Sequence, residues 1–284
     1  MTSPQSITAE LRQWIIAQAS AGSDAPALIE AMRQAGWNED VAAQAAEQTL
    51  RAHLDELAVR QGQPPAVPVP EPALADAPLS IDAGDRRVEV LMSMANPRVV
   101  LFGNLLSPDE CAALIDAARP RMERSLTVQT ATGGSQVNPD RTSNGMFFQR
   151  GETALIRRLE ERIARLVNWP VENGEGLQVL HYRPGAQYKP HYDYFDPGKP
   201  GTASITARGG QRVGTLVIYL NNPLKGGGTT FTSVPLEIGP RQGNAVFFSY
   251  ERPHPSTRTL HAGAPVIEGE KWIATKWLRE REFT

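Results

Sequence analysis

Cysteine is almost absent: Cys111 is the only one in 284 residues, so no disulfide can form within the chain. Its setting, Asp109-Glu110-Cys111-Ala112-Ala113-Leu114, is that of an amphipathic helix, where a thiol packs as a small inert apolar group. An excess of charge of either sign is also lacking. A net charge of -2 and a pI near 6.2 leave no global basic field for nucleic acid or anionic lipid. No apolar run reaches the roughly 18 residues a membrane-spanning helix needs. Met1 to Glu10 carries neither a basic n-region nor an apolar h-region. Together these absences argue against a disulfide scaffold and point to a reducing, cytoplasmic setting, with neither nucleic acid nor membrane as partner. What remains is ordinary globular usage, 40% hydrophobic and 21% charged, enough for one large domain and a small one.

Proline, by contrast, is concentrated. Residues 63–80 hold Pro64, Pro65, Pro68, Pro70, Pro72 and Pro78 and read as an extended, semi-rigid linker. It divides a helical accessory bundle, residues 1–62, from a larger domain over 81–284. In the bundle Leu11, Trp14 and Ile15 give the i, i+3, i+4 spacing of one helix face. Asp24 is an N-cap for a second helix holding Leu28, Ile29 and Met32, and Gly36 stands where a C′ glycine would end it. Asn38 caps a third, with Glu39 and Asp40 in its first turn and Val41, Ala45, Leu50, Leu54 and Leu57 along it. The outline and the Ala35-Gly36-Trp37 turn resemble ubiquitin-associated-type bundles, but the favoured role is packing or binding a protein partner.

Beyond the linker, Pro97 to Phe102 reads as a strand. Ser107-Pro108-Asp109-Glu110 then supplies a cap, an N1 proline and an acidic first turn for a helix to about Ala118. A second helix spans about Glu152 to Asn168, with Leu155, Ile156, Leu159, Ile163 and Leu166 on one side. After Glu175 the pattern turns to short apolar runs between Gly and Pro turns: Leu177–Tyr182, Val213–Leu220, Ala245–Tyr250 and Trp272–Leu278. The fold class expected is α+β, a double-stranded β-helix (jelly-roll) core with flanking helices.

Of the five histidines, His53 lies in the bundle and the other four in the β region. On a strand, residues i and i+2 share a face, so His191 and Asp193 present an imidazole and a carboxylate side by side. With His261 they make a two-histidine, one-carboxylate facial triad, which leaves three positions open on a non-haem Fe(II). A bidentate co-substrate and O2 need those three positions. Lys271, ten residues beyond His261, can cross the interior and pair with the distal carboxylate of 2-oxoglutarate; a lysine inside a β run otherwise has to face water. His181 should face away from its strand neighbour, and His254, between two prolines, reads as a loop residue.

At this point the stretch Leu180-His181-Tyr182-Arg183-Pro184-Gly185-Ala186-Gln187-Tyr188-Lys189-Pro190-His191-Tyr192-Asp193-Tyr194-Phe195 resembles the metal-binding segment of prolyl 4-hydroxylases. Gly209-Gly210-Gln211-Arg212, Gly226-Gly227-Gly228-Thr229-Thr230-Phe231, His261-Ala262-Gly263-Ala264-Pro265-Val266 and Gly269 to Leu278 resemble the family's second half. The runs Arg119 to Ser125 and Arg141-Thr142-Ser143 fit as well, so the resemblance covers about residues 97 to 282. It implies iron ligands His191, Asp193 and His261, with no catalytic side chain beyond the metal centre. It implies Lys271 and Tyr182 on the distal carboxylate of 2-oxoglutarate, assisted by Thr275, and ascorbate as reductant. It places Tyr188, Arg212 and Trp277 along a groove for a proline-containing peptide or protein, the aromatic pair on the ring and Arg212 on a peptide carbonyl.

The activity implied is 4-hydroxylation of prolyl residues, with succinate and CO2 as co-products. Two rivals stay open: the same chemistry on a free amino acid or small metabolite, and a metal-binding module without turnover. The chain departs from the family in two places. Gly227-Gly228-Thr229-Thr230 stands where a Gly-Gly-Glu-Thr turn is usual, and the Gly-, Pro-, Ser- and Thr-rich segment between Asp193 and Arg212 reads as a long mobile loop over the entrance.

Overall fold

Each helix of the first sixty residues begins on a side chain that caps it. In the computed structural model, which describes residues 6–124, 126–128, 135–137 and 140–284, Thr8 opens α1 (Ala9–Ser20), Asp24 opens α2 (Ala25–Gln34) and Asn38 opens α3 (Glu39–Arg60). Their side-chain oxygens accept from amide N–H groups that a helix cannot satisfy itself. Ile15, Met32, Ala42 and Ala45 form the core of this unit, Met1–Ala66. Residues 1–5 of the polar N-terminus, and Ser125 at the end of the upstream run, lie outside the described residues.

The proline-rich stretch corrects an expectation. It was expected to be a linker as far as Ser80, yet the second compact unit begins at Val67. The Val67 N–H donates to the Glu251 carbonyl at 2.8 Å and the Glu71 N–H to the Val167 carbonyl at 2.9 Å. The Glu71 carboxylate also pairs with Arg98 Nε at 3.0 and 3.1 Å. Prolines have no N–H to give, so the residues between them carry the hydrogen bonds. Pro70 and Pro72 are buried, Pro70 so close over Gly214 that a Cβ there would meet its ring at 2.6 Å. Residues 67–80 are a strap on the larger unit.

That unit then runs β1 (Ser80–Asp82), β2 (Arg87–Met94), β3 (Arg98–Gly103) and α4 (Pro108–Ala118), with the reciprocal Ser107/Glu110 capping box in place. Next come β4 (Glu123–Arg124), β5 (Leu126–Val128), β6 (Ser135–Val137), β7 (Asn144–Phe148) and α5 (Ala154–Leu166), followed by β8 (Leu177–Tyr182), β9 (Tyr188–His191) and α6 (Thr202–Ala207). The last elements are β10 (Arg212–Tyr219), β11 (Lys225–Gly226), β12 (Thr229–Phe231), β13 (Leu236–Ile238), β14 (Ala245–Ser249), β15 (His261–Gly263), β16 (Val266–Glu268) and β17 (Lys271–Arg279).

Nine strands form one sheet in the order β1-β2-β3-β14-β10-β17-β8-β7-β4, and four form another, β13-β12-β15-β9. The pairings are antiparallel, so the chain is a mixed helix and strand fold built on antiparallel sheets. One face of the large sheet packs on α4 and α5 around Leu114, Ile156, Leu159 and Ile163. The other faces the small sheet, with Val217, Tyr219 and Phe248 against Phe231 and Ile238.

β17 shows how the period of two divides these tasks. Trp272, Ala274 and Leu278 enter the helix-side core, while Lys271, Ile273, Thr275 and Trp277 line a cavity between the sheets. The turn at Gly226 and Gly227 lets the chain pass close by. Both have positive φ, +77 and +76, and a Cβ on Gly226 would run into the Pro265 carbonyl. Among the described residues no helix is long and apolar enough to cross a membrane.

Candidate active site

As the chain leaves β9, His191 and Asp193 turn to the same side. β15 lies antiparallel to β9 with His261 directly opposite His191, which brings the two imidazoles to 4.3 Å between ring centres. Each Nε2 stands 3.6 Å from an Asp193 carboxylate oxygen. The three ligating atoms lie within 4.8 Å of one another.

Both rings commit Nδ1–H to the carbonyl two residues earlier, His191 to Lys189 at 2.8 Å and His261 to Thr259 at 3.0 Å. That assigns the tautomer and leaves each Nε2 lone pair facing the carboxylate. Burial, reinforced by neighbouring His261, pushes the His191 imidazole down to about 3, so it is neutral, as a metal ligand must be. Burial works against the Asp193 charge, but His261, His191, Arg212 and the Thr215 hydroxyl outweigh it and hold the carboxyl at about 2. Two imidazoles and one carboxylate on one side of a cavity are the donor set that suits Fe(II) with open positions.

Across the cavity, Lys271 is 3% exposed, and no hydrogen bond or ion pair reaches its ammonium among the described residues. The rings of Tyr182 and Tyr219 lie 5.4 and 5.8 Å from Nζ. Burial alone pushes its pKa down to about 8. A buried cation without an anion fits a ligand that brings one. The β17–β8 register sets Lys271 beside Tyr182 and Thr275 beside Gln178. Eight of the nine residues selected from the sequence line this cavity: His191, Asp193, His261, Lys271, Tyr182, Thr275, Tyr188 and Trp277.

The family model described as the 2OG-Fe(II) oxygenase superfamily matches residues 177–279. Probable prolyl 4-hydroxylase 3 of Arabidopsis thaliana is 40% identical over 221 residues, which is 70% of this chain and 75% of that protein. Prolyl 4-hydroxylase 5 of the same plant is also 40% identical, over 70% of this chain and 74% of its own. The chain belongs to the prolyl 4-hydroxylases. Among solved structures, the 2OG complex of the viral collagen prolyl hydroxylase of Paramecium Bursaria Chlorella virus-1 is similar at a TM-score of 0.49. It shares 30% identity, with 64% of this chain and 95% of that one covered.

In this prolyl 4-hydroxylase Arg212 is not where it was expected. Its guanidinium lies behind the cavity wall, holding both Glu175 carboxylate oxygens at 2.7 and 2.9 Å with its carbon 3.9 Å from the Trp277 ring centre. Glu175 also takes Arg279 Nε at 2.7 Å. Burial opposes the Glu175 charge, and the two arginines outweigh it, holding the carboxyl below its ordinary range. Arg212 is thus committed to an internal ion pair that backs Trp277.

The arginine on the cavity wall is Arg141, from the Arg-Thr-Ser segment that had been noted without a role. It reaches Gln178 Oε1 at 2.8 Å and lies 5.1 Å over Tyr188. Its signal was present in that motif, but the backbone bridge that sets Arg141 opposite Tyr188 is long-range. Tyr188 itself stacks on His191 at 3.6 Å, and burial pushes its phenol up to about 12.

Thr229, in place of the family's acidic residue, is buried in the cavity wall and accepts a hydrogen bond from Tyr219 Oη at 2.7 Å. The segment expected to be a mobile loop contains α6, and Gln211 grips both backbone groups of Phe195 at 2.8 Å. His181 stacks on Trp272, away from the cavity, and His254 caps a short turn. Cys111 is fully buried, and burial pushes its thiol up to about 11.

Proposed function

We propose that this cavity hydroxylates C4 of prolyl residues in a peptide or protein, within a jelly-roll core. The observation that carries the reading is Lys271, a buried cation facing two histidines and a carboxylate across one small cavity. His191, Asp193 and His261 would hold Fe(II), which with 2-oxoglutarate and O2 would supply a two-electron oxidation balanced by release of succinate and CO2.

The remaining work belongs to the chain. Lys271 and the Tyr182 hydroxyl take the distal carboxylate, with Thr275 beside them, which orients the 2-oxo acid toward the triad. Tyr188 and Trp277 hold the prolyl ring, an apolar ring that suits aromatic faces. Leu180, Val217 and Ile273 keep water from the reacting carbon. Ascorbate as reductant, a reducing cytoplasmic location and a protein partner for residues 1–66 belong to the same proposal. The lone thiol supports the location, and the separate packing of α1–α3 supports the partner.

The test is succinate release with a panel of proline-containing peptides and with free proline, each product weighed for one added oxygen and its position read by NMR. Oxygen at C4 of a peptidyl proline is the expected result. Turnover of free proline with none of any peptide would refute the peptide reading.

A further inference from the structure

Asp193 lies beyond the end of β9, where the ladder with β15 has already stopped at the His191–His261 pair. Its backbone is therefore not held by a sheet, unlike those of the two histidines. Something else has to fix the carboxylate. We propose that Thr215 and Tyr250 are positioning residues for the metal, a relay of two buried hydroxyls that clamps one oxygen of Asp193 and leaves the other for the ion. The inference rests on the triad reading above and adds to it two residues with no assigned part.

The geometry is direct. Thr215 Oγ1 lies 2.8 Å from Asp193 Oδ2 and 2.9 Å from Tyr250 Oη. An ionised carboxylate can only accept, so the Thr215 hydroxyl has to donate to it. The threonine lone pairs are then left to accept from the Tyr250 O–H. The chain of donors has one direction, from Tyr250 to Thr215 to Asp193.

Both hydroxyl residues are held by the large sheet, where Asp193 is not. Thr215 is 0% and Tyr250 1% exposed. Thr215 is in the middle of the large sheet, paired with Phe248 on β14 and Trp277 on β17. Tyr250 follows β14 directly, its N–H donating to the Val213 carbonyl at 3.1 Å, and its ring meets Tyr194 edge-on at 6.0 Å. The relay thus transfers the rigidity of the nine-stranded sheet to a ligand that belongs to neither sheet.

The consequence is chemical. A carboxylate free to rotate can close on an ion through both oxygens and occupy one of the three positions that a facial triad leaves open. With Oδ2 engaged by Thr215, that closure costs a buried hydrogen bond to a charged group. Outer-shell partners of this kind typically change metal affinity by about 10- to 100-fold when removed.

The experiment compares wild type with Thr215→Val, Thr215→Ser and Tyr250→Phe. Mn(II) binding is followed by the EPR signal of the free ion, then 2-oxoglutarate binding to the Mn(II)-loaded proteins. Melting of the metal-free proteins is recorded alongside. Thr215→Val keeps the shape and loses the O–H, so it should weaken Mn(II) binding about 10-fold. Thr215→Ser restores the donor and should return toward wild type, and Tyr250→Phe should show a smaller loss in the same direction. Wild-type Mn(II) affinity in Thr215→Val overturns the proposal, and so does an equal loss in Thr215→Ser, which would place the effect in packing. If Thr215→Val does not fold, Tyr250→Phe decides, and unchanged affinity there overturns the relay. Wild-type protein that takes up no Mn(II) would instead sink the metal reading itself.

Discussion

Lys271 allows the co-substrate reading to be tested without any turnover. Its folded pKa is depressed from 10.5 to about 8 by burial, a penalty of roughly 3 kcal/mol on the charged form. The sign runs two ways. In the free protein below pH 8 the lysine is charged and buried, and the whole penalty is borne by the fold; as pH rises from 8 toward 10.5 the folded lysine is neutral and the penalty is relieved. 2-Oxoglutarate, with both carboxylates ionised throughout, binds the ammonium form. Its dissociation constant should therefore be flat up to pH 8 and rise about tenfold per pH unit above it.

Lys271→Met should invert both observables at pH 7. It removes a buried charge and should stabilise the ligand-free protein by up to roughly 3 kcal/mol. Losing a buried partner of the carboxylate should weaken 2-oxoglutarate by roughly 2 kcal/mol or more, about 30-fold. Calorimetric titration of Mn(II)-loaded protein between pH 7 and 9.5, with thermal unfolding of both proteins at pH 7, measures all of this. A wild-type dissociation constant that stays flat through pH 9.5, or a methionine variant with the same pH dependence, refutes the reasoning.

Asp193→Ala removes the only anion among the three ligands and should abolish Mn(II) uptake, with the unfolding transition still cooperative; retained uptake would remove Asp193 from the site. Glu175→Gln leaves Arg212 and Arg279 buried without their counter-charge and should cost about 3–5 kcal/mol in denaturant unfolding, while a cost below about 1 kcal/mol would mean the trio is solvated. A chain beginning at Val67 should melt close to the full-length catalytic transition, whereas one beginning at Ser80 loses the Pro70, Pro72 and Glu71 contacts and should melt lower. Equal melting of the two would show that the strap carries no stability.

The parts of this molecule that a reader of the sequence could see are those encoded by neighbours a few residues apart. Ser107 and Glu110 announce the start of α4, and the alternation in Leu177–Tyr182 and Trp272–Leu278 announces β8 and β17. His191 and Asp193 were recognisable as candidate ligands because two residues along an extended chain share a side; His261 and Lys271 joined them from the β region beyond, and the family resemblance implies the same roles. What stayed hidden depends on partners far apart. Arg212 could be seen as a cation but not as the partner of Glu175, 37 positions away. Thr215 and Tyr250 look like any polar residues in buried strands until β10 and β14 are set side by side. The prolines of residues 67–80 suggested a tether because composition reports the lack of donors, not the grip of Val67 and Glu71 between them. β2, with Val88, Val90, Met92 and Met94 alternating against Arg87, Glu89 and Ser93, was legible and went unread beside that proline run.

His191 and His261 belong to the four-stranded sheet and Lys271 to the nine-stranded one. The span from metal ligands to ammonium is therefore the gap between two packed layers, with Val217, Ile273, Phe231 and Phe248 in the core beside it. Stacked sheets keep a separation of about 10 Å because side chains on both faces fill it. A dicarboxylate bridging the triad and Lys271 would therefore span from one sheet to the other, so the packing of the core, not a mobile segment, sets the length it has to reach.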